Sequence, residues 1–221
     1  MERLIKVIGV GKLSLKPDLV VFHLTLQREN KDYSVLIDES VRSLNQLNSL
    51  VNEILNKKNL VKSESFVINE NYKEERDDKG NYKRVLSGFK SIQNLNLEVK
   101  NDNLLIGKLL SSFATSSLNI EINLSYQIKD QNKVKNQLID LAIKDAFAIS
   151  KQIAISSNLT LGEVSEIDYQ NDDESYSPSV RVTYGRMNGN NMDYNSNPQN
   201  IVLTKTIRIS FLIKQFIKSK F

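Results

Sequence analysis

The chain contains no cysteine and no tryptophan, a single histidine, and only 3 prolines and 8 glycines in 221 residues. Each scarcity removes a class of function. Without thiols there is no disulfide framework, no Cys-ligated zinc and no thiol nucleophile, although this alone leaves the compartment open. The one imidazole, His23, excludes any site that needs two. Low proline and glycine set aside collagen-like and Pro/Gly-rich disordered chains. No stretch approaches the roughly 20 consecutive apolar residues of a spanning helix, so no transmembrane segment is expected.

What remains is an ordinary globular composition, 40% hydrophobic and 25% charged, in a chain long enough to bury a core without a covalent or metal staple. The 30 Lys and Arg against 26 Asp and Glu are spread along the sequence. Phosphate footprints need clustered positive charge, so no nucleic-acid partner is expected. Met1 to Gly11 is interrupted by Lys6 and runs directly into a strand pattern, unlike a signal peptide. The chain as given therefore reads as cytoplasmic, or as periplasmic or cell-envelope if a leader was removed before residue 1.

Periodicity gives the element order. Leu4 to Leu15 reads as a strand broken by Gly9 and Gly11, and Lys16-Pro17-Asp18 supplies turn chemistry for a reversal into the alternating strand Val20 to Leu26. From about Asp32 to Lys57 the period is helical, with Tyr33, Ile37, Leu44, Leu47, Val51, Ile54 and Leu55 on one side. Phe66 to Tyr72 and Tyr82 to Val99 read as a hairpin around the charged turn Glu74 to Asn81. Asn101 or Asp102 can cap a short helix burying Leu105, Ile106, Leu109, Leu110 and Phe113, and Ile120 to Tyr126 alternates as a strand. A third helix, Lys133 to about Asn158 behind an Asp130 cap, is apolar over most of its circumference.

Leu161 to Tyr169 reads as a strand. Residues 171–199, rich in Asn, Asp, Ser and Gly, read as a mobile loop joining it to a final strand from Ile201 to Ile213. The order ββ-α-ββ-α-β-α-ββ predicts a single α+β domain over 1–221, a largely antiparallel sheet with helices packed on one face. The final strand, with Phe211, Ile213, Phe216 and Ile217, reads as an open edge.

Few residues invite a chemical reading. Gly9-Val10-Gly11 lacks the third glycine and the following helix of a dinucleotide fingerprint, which leaves a bulge or a close backbone approach. His23 lies on the polar face of its strand and reads as a solvated or edge residue, outside any Gly-x-Ser-x-Gly context. The acidic groups Glu74-Glu75, Asp77-Asp78 and Asp172-Asp173-Glu174 lack the rhythm of a calcium loop, so no metal and no cofactor are expected. Asp145 falls within the apolar arc of the third helix and must be hydrogen-bonded, paired or protonated there.

The pattern Ile5-x-Val7-x-Gly9-x-Gly11-x-Leu13-x-Leu15-x-Pro17-Asp18 resembles the opening of the SIMPL family. So do Gly88-Phe89 with Asn94-Leu95 running on to Gly107-Lys108-Leu109-Leu110, and Ala142 to Ala154 followed by Leu161-Gly162-x-Val164. The resemblance implies an α+β fold, large oligomers and no established catalytic residues. Exported bacterial relatives are associated with oxidative-stress defence and surface antigenicity, and a mammalian relative with binding a signalling kinase. The opening residues do not read as the signal peptide that many bacterial relatives carry, and 171–199 matches no family pattern.

The reading that follows is a non-catalytic, homo-oligomeric interaction protein with an unidentified protein partner and a link to stress response. Gly9, Gly11, Pro17, Asp18, Gly88, Asp145 and Gly162 are its structural or functional candidates. The alternative is a small-ligand-binding protein or hydrolase-like enzyme using carboxylates around Asp145.

Overall fold

The structure is a computed structural model that describes residues 3–76, 82–169, 180–184 and 194–215. The chain is α+β, its described residues forming eight strands and three helices in the order β1 (Leu4–Leu15), β2 (Leu19–Asn30), α1 (Tyr33–Leu55), β3 (Val61–Arg76), β4 (Tyr82–Lys100), α2 (Asn103–Thr115), β5 (Ile120–Gln127), α3 (Gln131–Ser156), β6 (Leu159–Asp168), β7 (Val180–Tyr184) and β8 (Ile201–Gln215). All pairing is antiparallel. Among the described residues the strands form two sheets, ordered β1-β8-β6 and β3-β4-β2-β5-β7. The chain divides into two compact units, β1, α3, β6 and β8 in one and the remaining elements in the other.

In the larger unit β2 is a central strand. Its Val20, Phe22, Leu24 and Leu26 are fully buried against Leu47 and Val51 of α1 and against Ile106, Leu109, Leu110 and Phe113 of α2. Phe22 and Phe113 meet edge to face at 6.1 Å. Each helix starts where a short acidic side chain satisfies orphan N–H groups. Asp32 accepts from Ser34 and Val35 N–H at 2.8 and 3.1 Å, and Asp102 from Leu104 and Leu105 N–H. The Ser34 hydroxyl first, then those two backbone bonds, hold the Asp32 carboxyl below its usual range.

The buried face of α1 is rotated from the expected one. Leu36, Ser40 and Ser43 are buried, whereas Tyr33 is exposed at its ring edge over Phe89. Serines escape a hydrophobic count, yet these two are satisfied inside. Ser40 Oγ donates to Leu36 O and meets Ser91 Oγ, and Ser43 Oγ donates to Glu39 O.

In the smaller unit α3 lies along β1 and β8 with Val134, Leu138, Ala142, Ala146, Ser150 and Ala154 inward, a strict four-residue stripe. Ile5, Val7, Ile207, Ile209 and Phe211 complete that core. Asp130 caps α3 by accepting from Lys133 N–H at 2.9 Å.

Three topological expectations change. Pro17-Asp18 is not a hairpin turn, because β1 pairs with β8 whereas β2 pairs with β4 and β5. The backbone there ties the start of β2 to its sheet instead, Asp18 N–H donating to Gln127 O at 3.1 Å and Asn101 N–H to Asp18 O at 3.0 Å. Strand β8 is not an edge, since β1 and β6 flank it on both sides. Finally, 171–199 is not without structure. Val180–Tyr184 adds β7 beside β5, and Tyr194 packs against the core of the larger unit. Of the stretch expected to be mobile, 171–179 and 185–193 lie outside the described residues, as do the hairpin tip 77–81 and Phe216 and Ile217.

Candidate functional site

The face of the five-stranded sheet opposite α1 and α2 carries an ordered polar ladder. Alternation that buries Phe22 and Leu24 on one side places Val21, His23, Thr25 and Gln27 on the other, opposite Asn94 and Asn96 of β4 and Ser125 of β5. His23 Nδ1 lies 2.9 Å from Asn96 Oδ1, and its Nε2 lies 2.9 Å from Ser125 Oγ. One assignment of protons satisfies every contact. Gln127 Nε2–H donates to Ser125 Oγ, Ser125 O–H to His23 Nε2, His23 Nδ1–H to Asn96 Oδ1, and Asn96 Nδ2–H to Glu64 Oε1. A second rung runs from Thr25 Oγ1–H to Asn94 Oδ1 and from Asn94 Nδ2–H to Ser65 Oγ. Donors aligned in one direction polarise one another.

A serine, a histidine and an asparagine in line invite comparison with a hydrolytic centre. Acyl transfer also needs donors aimed at a developing oxyanion. Ser125 sits in mid-strand with β5 paired on both sides, so the neighbouring N–H groups belong to the sheet ladder. Its Oγ is buried and already accepts from Gln127. The arrangement fixes strand register and side-chain orientation. His23 is thus the hub of a hydrogen-bond ladder where the sequence suggested a solvated residue. The signal was present in the polar alternation of Asn94 and Asn96 opposite His23 and Thr25, legible only once β2 and β4 are paired.

The other sequence candidates are placed apart. Gly9 and Gly11 face α3, where a Cβ on Gly9 would sit 1.9 Å from Ala142 O and one on Gly11 2.1 Å from Leu138 O. No side chain fits between those backbones. Asp145, half-exposed rather than enclosed, turns its Oδ2 to Val10 N–H at 2.8 Å. It thereby closes one donor on β1, an edge strand of its sheet. Gly162 lies in the register irregularity of β6 between Leu161 and Val164. Gly88 has φ +148°, and a Cβ there would approach Asn30 O within 2.7 Å. Among the described residues no three His, Asp or Glu side chains gather into a metal-ligand set, and no helix is long and apolar enough to cross a membrane.

Gly88 marks where a two-stranded arm leaves the sheet. Strand β2 stops pairing with β4 at Asn30 opposite Phe89, so among the described residues Tyr82–Gly88 and Asn71–Arg76 pair only with each other. Along this arm Tyr72, Tyr82 and Leu86 are 43%, 73% and 46% exposed. The Arg84 guanidinium lies 4.3 Å from the Tyr72 ring centre. The Tyr72 hydroxyl bonds to the Glu70 carboxylate, and that bond pushes its pKa up.

No curated protein matches the chain. Residues 5–211 match the profile of SIMPL, described as a protein of unknown function (DUF541). The match takes in β1 at one end and most of β8 at the other, and the chain belongs to the SIMPL family.

Proposed function

We propose that this protein is a non-catalytic interaction module that assembles with copies of itself, and that the β3–β4 arm is the principal contact. The observation that carries the reading is the projection of Asn71–Arg76 and Tyr82–Gly88 beyond the last residue of β2, with Tyr72, Tyr82 and Leu86 exposed. Strand β3 is also an open edge of its sheet. A strand edge is complementary to a second edge, and two copies related by a two-fold axis satisfy that pairing reciprocally. Lys73 and Arg76 stand beside Glu74 and Glu75 on this strand, so neither sign of charge dominates the contact. Stress defence is the setting the family resemblance makes first to test.

Size-exclusion chromatography with light scattering, at low micromolar protein and moderate salt, should return at least twice the 25.2 kDa of one chain. A 25.2 kDa species at every concentration would contradict self-assembly. The non-catalytic part has its own test. Ser125 should remain unmodified by a fluorophosphonate that labels activated serines, and its stoichiometric labelling would make the protein a hydrolase.

A further inference from the structure

A polar cleft of about 550 Å³ lies beside the middle of α1 in the larger unit, walled by Arg28 of β2 and by Arg42, Ser43 and Gln46 of α1. Arg28 is half-buried, and its Nε–H donates to Ser43 Oγ at 2.9 Å, which fixes the plane of the guanidinium. Among the described residues neither Nη group of Arg28 has a protein partner, leaving four N–H donors of a permanently charged group on the cleft wall. Arg42 holds its chain by Nε–H to Asp38 O at 3.3 Å and presents a second guanidinium.

Two carboxylates also line the cleft, and each is engaged elsewhere. Glu29 is ion-paired with Lys90 at 3.3 Å, and Glu39 accepts from Asn30 Nδ2–H at 3.3 Å. Among the described residues no carboxylate lies within ion-pairing distance of Arg28 or Arg42. A half-buried guanidinium with open N–H donors and no ion pair favours an anion or ordered water beside it. The planar fork of arginine matches two oxygens of one carboxylate or phosphate.

We infer that the Arg28–Arg42 cleft binds a small oxyanion, a carboxylate or phosphate group, with Arg28 as its oriented bidentate donor and Arg42 as the outer charge. Ser43 positions Arg28 and does not touch the ligand. The site belongs to one chain and stands whether or not the protein assembles.

Thermal unfolding of the full chain would be followed while inorganic phosphate or malonate is titrated at constant ionic strength with sodium chloride. A saturable rise in midpoint is expected with at least one of them. Saturation by phosphate alone assigns a phosphoryl group, and saturation by both assigns a general oxyanion site. Calorimetric titration should show affinity at least fivefold weaker in Arg42→Gln, a change on an exposed helix surface, and no measurable binding in Arg28→Gln. Arg28→Lys, which keeps the charge but loses the fork, should recover only part of the affinity. If neither anion gives a saturable response, or if Arg42→Gln and Arg28→Lys both bind like the wild type, the site is overturned.

Discussion

Over Gly9 and Gly11 helix α3 presents Leu138, Ala142 and Ala146, whereas α1 and α2 meet β2 with Leu47, Val51, Ile106, Leu109, Leu110 and Phe113. The first contact is set by backbone approach. Ala142 O and Leu138 O stand where a Cβ on Gly9 or Gly11 would have to go. The second is set by side-chain volume, with Phe22, Leu24, Leu97, Ile106 and Leu109 almost wholly withdrawn from solvent. The two units should therefore fail under opposite insults, one when atoms are added and the other when they are removed.

The largest effect is expected in the larger unit. Phe22→Ala removes a ring packed edge to face on Phe113 and should cost about 4 kcal/mol by lost transfer energy and cavity formation. A urea midpoint unchanged from wild type would mean the core had collapsed onto the void. Next comes Gly9→Ala, a single methyl that meets Ala142 O and Ala146 N, neither of which is a movable side-chain end. It should cost about 3 kcal/mol, at the upper end of overpacking. If Gly9→Ala were neutral, the account of the α3 seam would be wrong and the comparison would lose one side.

Asp145 sharpens the comparison at lower cost. Asp145→Ala uncovers Val10 N–H on an edge strand that water can reach, so a loss of about 1 kcal/mol is expected. Hydrogen exchange at Val10 should accelerate selectively, and unchanged protection there would show that the carboxylate is not its cover.

A further effect depends on pH. Tyr126 is fully buried, and burial pushes its phenol up to about 12, with Tyr194 and Ser196 hydroxyls bonded to it. Because the folded value exceeds the unfolded value of about 10, the folded state holds this proton more tightly. The stability it contributes is complete below about pH 10 and disappears as pH rises toward about 12. Tyr126→Phe should flatten that fall in chemical-denaturation midpoints. The same slope in the variant would place its origin in other tyrosines.

Much of the fold was legible because its signals are local. The helix periods, the Asp102 and Asp130 caps and the alternation of Val20 to Leu26 depend on residues a few positions apart. The missing parts depend on partners far along the chain. Lys16-Pro17-Asp18 has the chemistry of a turn, but the choice of β8 for β1 is made by residues about two hundred positions away. Val180-Arg181-Val182-Thr183-Tyr184 alternates over five residues, too short to register inside an Asn- and Ser-rich stretch. The same holds for sites. Gly9 and Gly11 announced a close approach without naming α3, and Asp145 announced a bonded carboxylate without naming Val10. The hydrogen-bond partners of His23 and the Arg28–Arg42 cleft emerge only once strands and helices are paired, since both are assembled by neighbours that no short window contains.

Neither packing mode accounts for the arm, since among the described residues its two strands pair only with each other. The most direct test of the proposed function is therefore the mass in solution of the double variant Tyr82→Ser/Leu86→Ser beside that of the wild type. Both residues are exposed, so the fold should stand and the thermal midpoint should move little. The account predicts an assembled wild type and a variant at 25.2 kDa under identical conditions. A variant that keeps the wild-type mass would contradict it.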